Sequence, residues 1–184
     1  YMGSFRRTYL ELIKEFYDEL PDYYFYDGHF KLNWDPDGHN KLSASAYFGR
    51  DRLKFDIGNV LNLDWGNRTF TTQWVHIFNP RLFSQFIVAG SDFSSNFDQI
   101  SAEDEQLFRR ENGINDITNK AILSWNPNNY HQTDFGWELK YNQTWLKMTS
   151  SYQYDPSSMP DVDVSSITSS AFVQDTWDLS ALWS

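Results

Sequence analysis

Asp35-Pro-Asp-Gly-His-Asn40 opens the way a calcium loop opens, with two aspartates spaced two apart and a glycine behind them. The remaining oxygen ligands and the bidentate Glu of such a loop are missing, and the same residues also spell a tight turn. Asp161 and Asp163 form a second acidic pair, for which a solvated outer loop competes with a calcium set. His29, His39, His76 and His131 have no histidine three or four residues away and no carboxylate at a telling spacing, so none reads as a metal centre. Asp134 and Glu138 are the residue types of a glycosidase pair. Four residues of strand put them about 13 Å apart, too far for either carboxylate geometry. No Ser/His/Asp arrangement and no phosphate-binding glycine loop can be built from the spacing. Neither catalysis nor a cofactor or metal is expected.

Arg6 and Arg7 are the most unusual charged pair. In a strand, adjacent side chains point to opposite faces, so one of the two must face inward whichever way the alternation falls. Two readings compete: an inward arginine that pairs with an acidic group of a ligand or another domain, or an arginine solvated at an outer rim.

The elements that position these residues are announced by one turn written three times: Asn33-Trp34-Asp35-Pro36, Ile77-Phe78-Asn79-Pro80 and Ser124-Trp125-Asn126-Pro127. Each sets an aromatic before an Asp/Asn-Pro turn and lies between alternating runs, which is hairpin punctuation. Eight strands are predicted, at about 1–12, 22–34, 41–55, 65–78, 82–95, 115–125, 132–147 and 167–178. The seventh alternates most clearly, with Phe135, Trp137, Leu139 and Tyr141 against Asp134, Glu138, Lys140 and Asn142. The third loses phase near Gly49-Arg50, where a bulge is expected. The fifth is mixed on both faces. Longer polar connections are expected near 14–21, 56–63, 97–113 and 149–165, and residues 10–20 also fit a helical stripe through Leu10, Ile13, Phe16, Tyr17 and Leu20.

Composition narrows the class. Of 184 residues 18% are aromatic, including eight Trp and eleven Tyr. Mean hydropathy is nevertheless −0.62, and no run approaches the eighteen or so apolar residues of a membrane helix. Alternation, short aromatic-flanked turns at one end and long connections at the other describe a transmembrane β-barrel wall. The polar side of the strands carries Asp27, His29, Lys31, Lys120, Glu138 and Lys140. A dry core would penalise these charges, so that face must meet water or paired charge. With Arg6 and Arg7 they are the candidate lumen-facing ligand contacts. The net charge of −10, with no run of Lys or Arg, leaves no footprint for nucleic acid and argues against adhesion to anionic lipid. Absence of cysteine excludes disulfides and thiol chemistry.

Six stretches, in order along the chain, carry a resemblance: Gly3-Ser-Phe-Arg-Arg-Thr-Tyr-Leu10, Tyr23-Tyr-Phe-Tyr-Asp27, Ser45-Ala-Tyr-Phe-Gly-Arg-Asp51, Leu63-Asp-Trp-Gly-Asn-Arg-Thr69, Trp74-Val-His-Ile-Phe-Asn-Pro-Arg-Leu-Phe-Ser84 and Ala171-Phe-Val-Gln-Asp-Thr-Trp177. The chain resembles part of a TonB-dependent receptor of the Bacteroidota type. It departs from the family at Asn142-Gln-Thr-Trp145, where a His followed by an aromatic is expected. The resemblance implies a barrel of about twenty-two strands with a plugged lumen. Residues 1–184 would be one partial domain, all-β, an up-and-down antiparallel meander of about eight strands. The plug domain, the TonB-contacting segment and the closing strands would lie outside it, and Leu179–Ser184 would enter another periplasmic turn. Implied partners are outer-membrane lipid, the protein's own plug, the TonB complex, and an extracellular ligand or surface lipoprotein. The implied location is the outer membrane of a Gram-negative cell, and the implied role is uptake of a metal chelate or glycan. The other reading of the residues is a secreted β-sandwich or small-barrel module whose exposed aromatics stack on carbohydrate. For the barrel piece an open, strongly curved sheet is expected, since neither terminal strand has the small interior residues of a closed eight-strand barrel.

Overall fold

A computed structural model describes residues 1–10, 22–103, 105–151 and 159–178. They build eight strands: β1 (Met2–Arg7), β2 (Asp22–Trp34), β3 (Asn40–Asp56), β4 (Val60–Asn79), β5 (Leu82–Ile100), β6 (Gln106–Trp125), β7 (His131–Ser150) and β8 (Asp161–Trp177). Each pairs antiparallel with its neighbours in sequence, in the order β1 to β8, so the sheet is an open up-and-down meander. The helical stripe expected over 10–20 and the turn expected at 179–184 fall on residues outside this description.

Asp/Asn side chains set the turns at one end. Gly38 N–H donates to Asp35 Oδ1 at 2.8 Å and Arg81 N–H to Asn79 Oδ1 at 2.9 Å. Tyr130 N–H donates to Asn128 Oδ1 at 2.8 Å. In the first two turns the capping oxygen belongs to the Asx before Pro, and in the third to Asn128, just after Pro127.

The far end differs from expectation. Two of the predicted long connections are largely strand: 56–63 closes in three residues around Gly58 (φ 93°), and 97–113 shrinks to Ser101–Glu105. Nor does β3 bulge at Gly49, because its register with β4 is unbroken from Asn40↔His76 to Asp56↔Val60. The irregularities lie elsewhere, at Ile77/Asn79 and Gln99/Ile100. The strands outrun their apolar pattern, and the ladder continues where both faces are polar.

Register puts the apolar side chains on one face. From Trp34 a single cross-strand row runs through Leu42, Trp74, Phe86, Ala121 and Trp137 to Ala171. The aromatics nearest the turns are Trp34 in β2, Trp125 in β6 and Trp177 in β8, so the lower rim of the apolar band slips from Ala171 to Trp177, six residues along β8. That slip is about 20 Å of strand over six strand spacings of about 29 Å, a tilt of about 35°. Barrel strands tilt by roughly 35–45°. The upper rim, where outward residues change from Tyr26, Phe48, Ile117, Tyr141 and Ile167 to Arg50, Arg68, Asp92, Asn115 and Gln143, slips the same way by four residues between β2 and β4 and then follows one cross-strand row to β8. Eight to ten residues of strand between the rims project, at that tilt, to a band about 22–28 Å tall, bracketing the roughly 25 Å of membrane barrels.

No described residue covers this band. Among the described residues no hydrophobic side chain is buried, and Trp34, Trp125 and Trp177 are 58%, 46% and 61% exposed. Among the described residues the sheet has no second layer, so the sandwich reading has no core to rest on. Within the wall, rings lie flat over glycines of the adjacent strand: Phe48 over Gly28, Phe70 over Gly90, Trp145 over Gly113 and Phe172 over Gly136. A Cβ on Gly28 would sit 2.5 Å from the Phe48 ring, so glycine is what admits the aromatic.

Candidate functional site

The polar face is the candidate site, and its middle rows are built from short hydroxyl and amide side chains. One row reads Lys31, Ser45, Thr71, Ala89, Thr118, Lys140 and Thr168. Into this face β1 and β2 bring Arg6 opposite Asp27. The guanidinium forks onto the carboxylate, with Nε at 3.1 and 3.0 Å from the two oxygens and Nη2 at 2.8 Å. Asp27 is 9% exposed, so the charge-assisted fork is its compensation for lost water.

Lys120 and Glu138 also stand directly opposite, 3.8 Å apart, and the ammonium lies 5.7 Å above the Phe172 ring. His29, Lys31 and Lys140 share the face by alternation. Arg7 does not. Its register partner is Tyr26, on the apolar face, and its guanidinium sits 5.2 Å from the Tyr24 ring centroid and 5.5 Å from that of Tyr9. Of the two candidates, the register puts Arg6 on the polar face and Arg7 on the apolar one.

Sequence reasoning missed the far end of the same face. Above the upper rim the polarity of the sheet inverts. Arg50, Arg52, Asp64, Asp98 and Arg109 now occupy the formerly apolar side, while Phe25, Leu53, Trp65, Phe93, Phe97 and Phe108 occupy the formerly polar one. Phe97 and Phe108 rings meet at 6.0 Å, Tyr23 and Phe25 at 5.8 Å, and Tyr23 Oη donates to Asp51 at 2.7 Å. Four of these eleven residues, Phe97, Asp98, Phe108 and Arg109, lie in the connection expected over 97–113; the others lie in or beside expected strands. The signal available was the continuing period of two, with its sign reversed.

The metal candidates resolve locally. Asp37 spends its carboxylate on its own turn, accepting from Asn40 Nδ2 at 2.7 Å, Asn40 N at 2.7 Å and His39 N at 2.9 Å. Those bonds, the Asn40 side chain first, hold its pKa below the usual carboxylate value. Asp161 and Asp163 belong to β8 rather than to a loop, and Asp163 accepts from Gln143 Nε2 at 2.8 Å. His131 has a carboxylate that spacing could not reveal: Asp175, 44 residues away, lies 2.8 Å from its Nδ1 across β7 and β8. No cluster of three or more metal-ligating side chains forms among the described residues.

No family model and no curated protein sequence matches the chain. Solved structures do. The copper transporter OprC superposes with a TM-score of 0.65 at 12% identity, covering 88% of this chain and 27% of its own. The fold is that of part of a TonB-dependent receptor barrel. The unliganded ferric citrate transporter FecA superposes at 0.60 with 8% identity, over 86% of this chain and 26% of FecA. The siderophore receptor PiuA from Acinetobacter baumannii gives 0.50 at 10% identity, over 83% and 29%. The chain thus spans about a quarter of the length of the solved structures it matches.

Proposed function

We propose that this chain is a wall segment of a TonB-dependent active transporter of the outer membrane, of the Bacteroidota type. The observation that carries the reading is the tilted, uncovered apolar band, with Trp at its lower rim and a hydroxyl-rich face behind it. Lipid is the solvent such a band requires, because every side chain on it would otherwise face water. The likeness to copper, ferric citrate and siderophore transport proteins supports a cargo too large or too scarce for passive diffusion, a metal chelate or a glycan.

In this reading the polar face meets a plug domain and water. The Arg6–Asp27 and Lys120–Glu138 pairs give that face compensated charge beside the cations of Lys31 and Lys140. The inward aromatics of the far end form the wall of the extracellular mouth, where a ligand with flat apolar surfaces is held by stacking. The residues of this segment position and select; none performs chemistry. Energy for release reaches the barrel from the TonB complex through the plug.

The test is genetic and biochemical. Deleting the gene, and separately removing TonB, must abolish the same uptake in a panel of metal chelates and glycans, and the protein must fractionate with the outer membrane. A soluble periplasmic or secreted protein, or uptake indifferent to TonB, contradicts the reading.

A further inference from the structure

Where the polarity of the sheet inverts, charge moves to the outward positions, as Arg50, Asp64, Asp98 and Arg109 do. On the inward positions of β2 to β8 beyond the row of Gly49, Phe93 and Ile114, only Asp51 and Arg110 carry charge among the described residues. Asp51 has a partner, since Tyr23 Oη donates to it at 2.7 Å. The Arg110 side chain makes no ion pair, hydrogen bond or ring contact among the described residues. Its cross-strand partners are Phe97 on β5 and Met148 on β7, and the next inward residues of its own strand are Phe108 and Asn112. The Phe97 and Phe108 rings meet beside it at 6.0 Å, tilted by 55°. Asp98 and Glu111 adjoin it in the ladder but on the outward face, where Asp98 pairs with Arg109. Asp51 stands three strands away, about 14 Å, and Glu105, at the β5–β6 turn, is five residues up the strand, about 17 Å.

A guanidinium without a counter-charge, set in a wall of rings and a thioether, is complementary to a ligand that brings both an anion and a flat apolar body. We propose that Arg110 reads the charge of the cargo, an aromatic metal chelate of net negative charge, while Phe97 and Phe108 stack on its aryl groups. The inference rests on the transporter reading, which makes this face the inner wall of the extracellular mouth, and it narrows the cargo from a chelate or a glycan to an anionic aryl chelate. Anionic oxygens give a guanidinium forked, charge-assisted hydrogen bonds about twice as strong as the neutral ones that sugar hydroxyls offer. The tilted rings favour planar aryl surface, and the unbranched Met148 side chain can fill against whatever shape that surface has. Arg109, one residue away, supplies the internal contrast: its charge is already spent on Asp98, on the face that cargo does not meet.

The experiment measures equilibrium dialysis of the intact, detergent-solubilised protein against two iron(III) probes on one tripodal scaffold, the anionic tris-catecholate and the neutral tris(aryl hydroxamate), with maltoheptaose as the glycan. Wild type binds the catecholate about tenfold more tightly than the hydroxamate, and Arg110→Gln removes that preference while leaving hydroxamate binding in place. Arg110→Lys keeps most of the preference, Phe97→Leu weakens both aryl probes, and Arg109→Gln changes neither. Equal affinity of wild type for the two chelates, binding of maltoheptaose alone, or a preference that survives Arg110→Gln overturns the role of Arg110. Any of these together with TonB-dependent uptake of another cargo leaves the transporter reading standing, whereas uptake indifferent to TonB overturns that reading itself.

Discussion

Phe48 and Arg68 are directly opposed on β3 and β4, on one face of the sheet, and the upper rim of the apolar band passes between them. A row perpendicular to tilted strands must climb out of a level band, and this row does so within one strand spacing. Continuing it through Asp92, Asn115 and Gln143 meets only polar residues.

Depth along β4 therefore decides what a charge costs. Arg68→Ala is nearly neutral, Phe70→Arg is destabilising, and Thr72→Arg, nearest the middle of the band, loses about 2–4 kcal/mol. Thr71→Arg, on the hydrated face beside it, costs far less. Urea titrations of the intact protein refolded into vesicles would read the series, and equal costs at 71 and 72 would contradict the assignment of faces.

Gly90 accepts the ring of Phe70 across β4 and β5. Gly90→Ala forces that ring off the sheet and costs about 1–3 kcal/mol, as overpacking does. Phe70→Leu in the same chain should recover most of the loss, a non-additivity that a double-mutant cycle detects.

Arg6 and Asp27 form a pair whose halves are unequally hydrated, with side chains 72% and 13% exposed. Removing the arginine strands a half-dry carboxylate, so Arg6→Gln lowers the thermal unfolding midpoint more than Arg6→Gln with Asp27→Asn together. A double variant worse than the single would contradict this account.

Much of this was legible in the chain. Trp137, Leu139 and Tyr141 against Glu138 and Lys140 fix the faces of β7 without help, and the three Asx-Pro turns fix three hairpins. The failures share a cause: residues 60–63, 97–100 and 106–113 are strand that has left the apolar band, and hydropathy reads polar strand as loop. The cross-strand partners were invisible for another reason. Arg50 with Asp64, Arg109 with Asp98 and His131 with Asp175 depend on register, which no local spacing encodes.

Asp37 carries a pH dependence with a definite sign. Its carboxyl is held below the usual value by the bonds from Asn40 and His39. A depressed folded-state pKa gives a contribution that is complete above the unfolded value of about 3.9 and lost as pH falls through the folded one. Protection factors of the His39 and Asn40 amides should drop in that acid range in wild type, and Asp37→Asn should be flat there.

The most direct test of the central claim is a nitroxide scan of β7 from Thr133 to Lys147 in the bilayer-inserted intact protein, recording collision with oxygen and with a water-soluble nickel complex. Oxygen contact should peak at Phe135, Trp137, Leu139 and Tyr141 and vanish at the even positions. From Gln143 to Lys147 the same odd positions should turn to nickel. Oxygen contact that persists through Lys147, or nickel contact at every position, would mean that no lipid band ends at this rim.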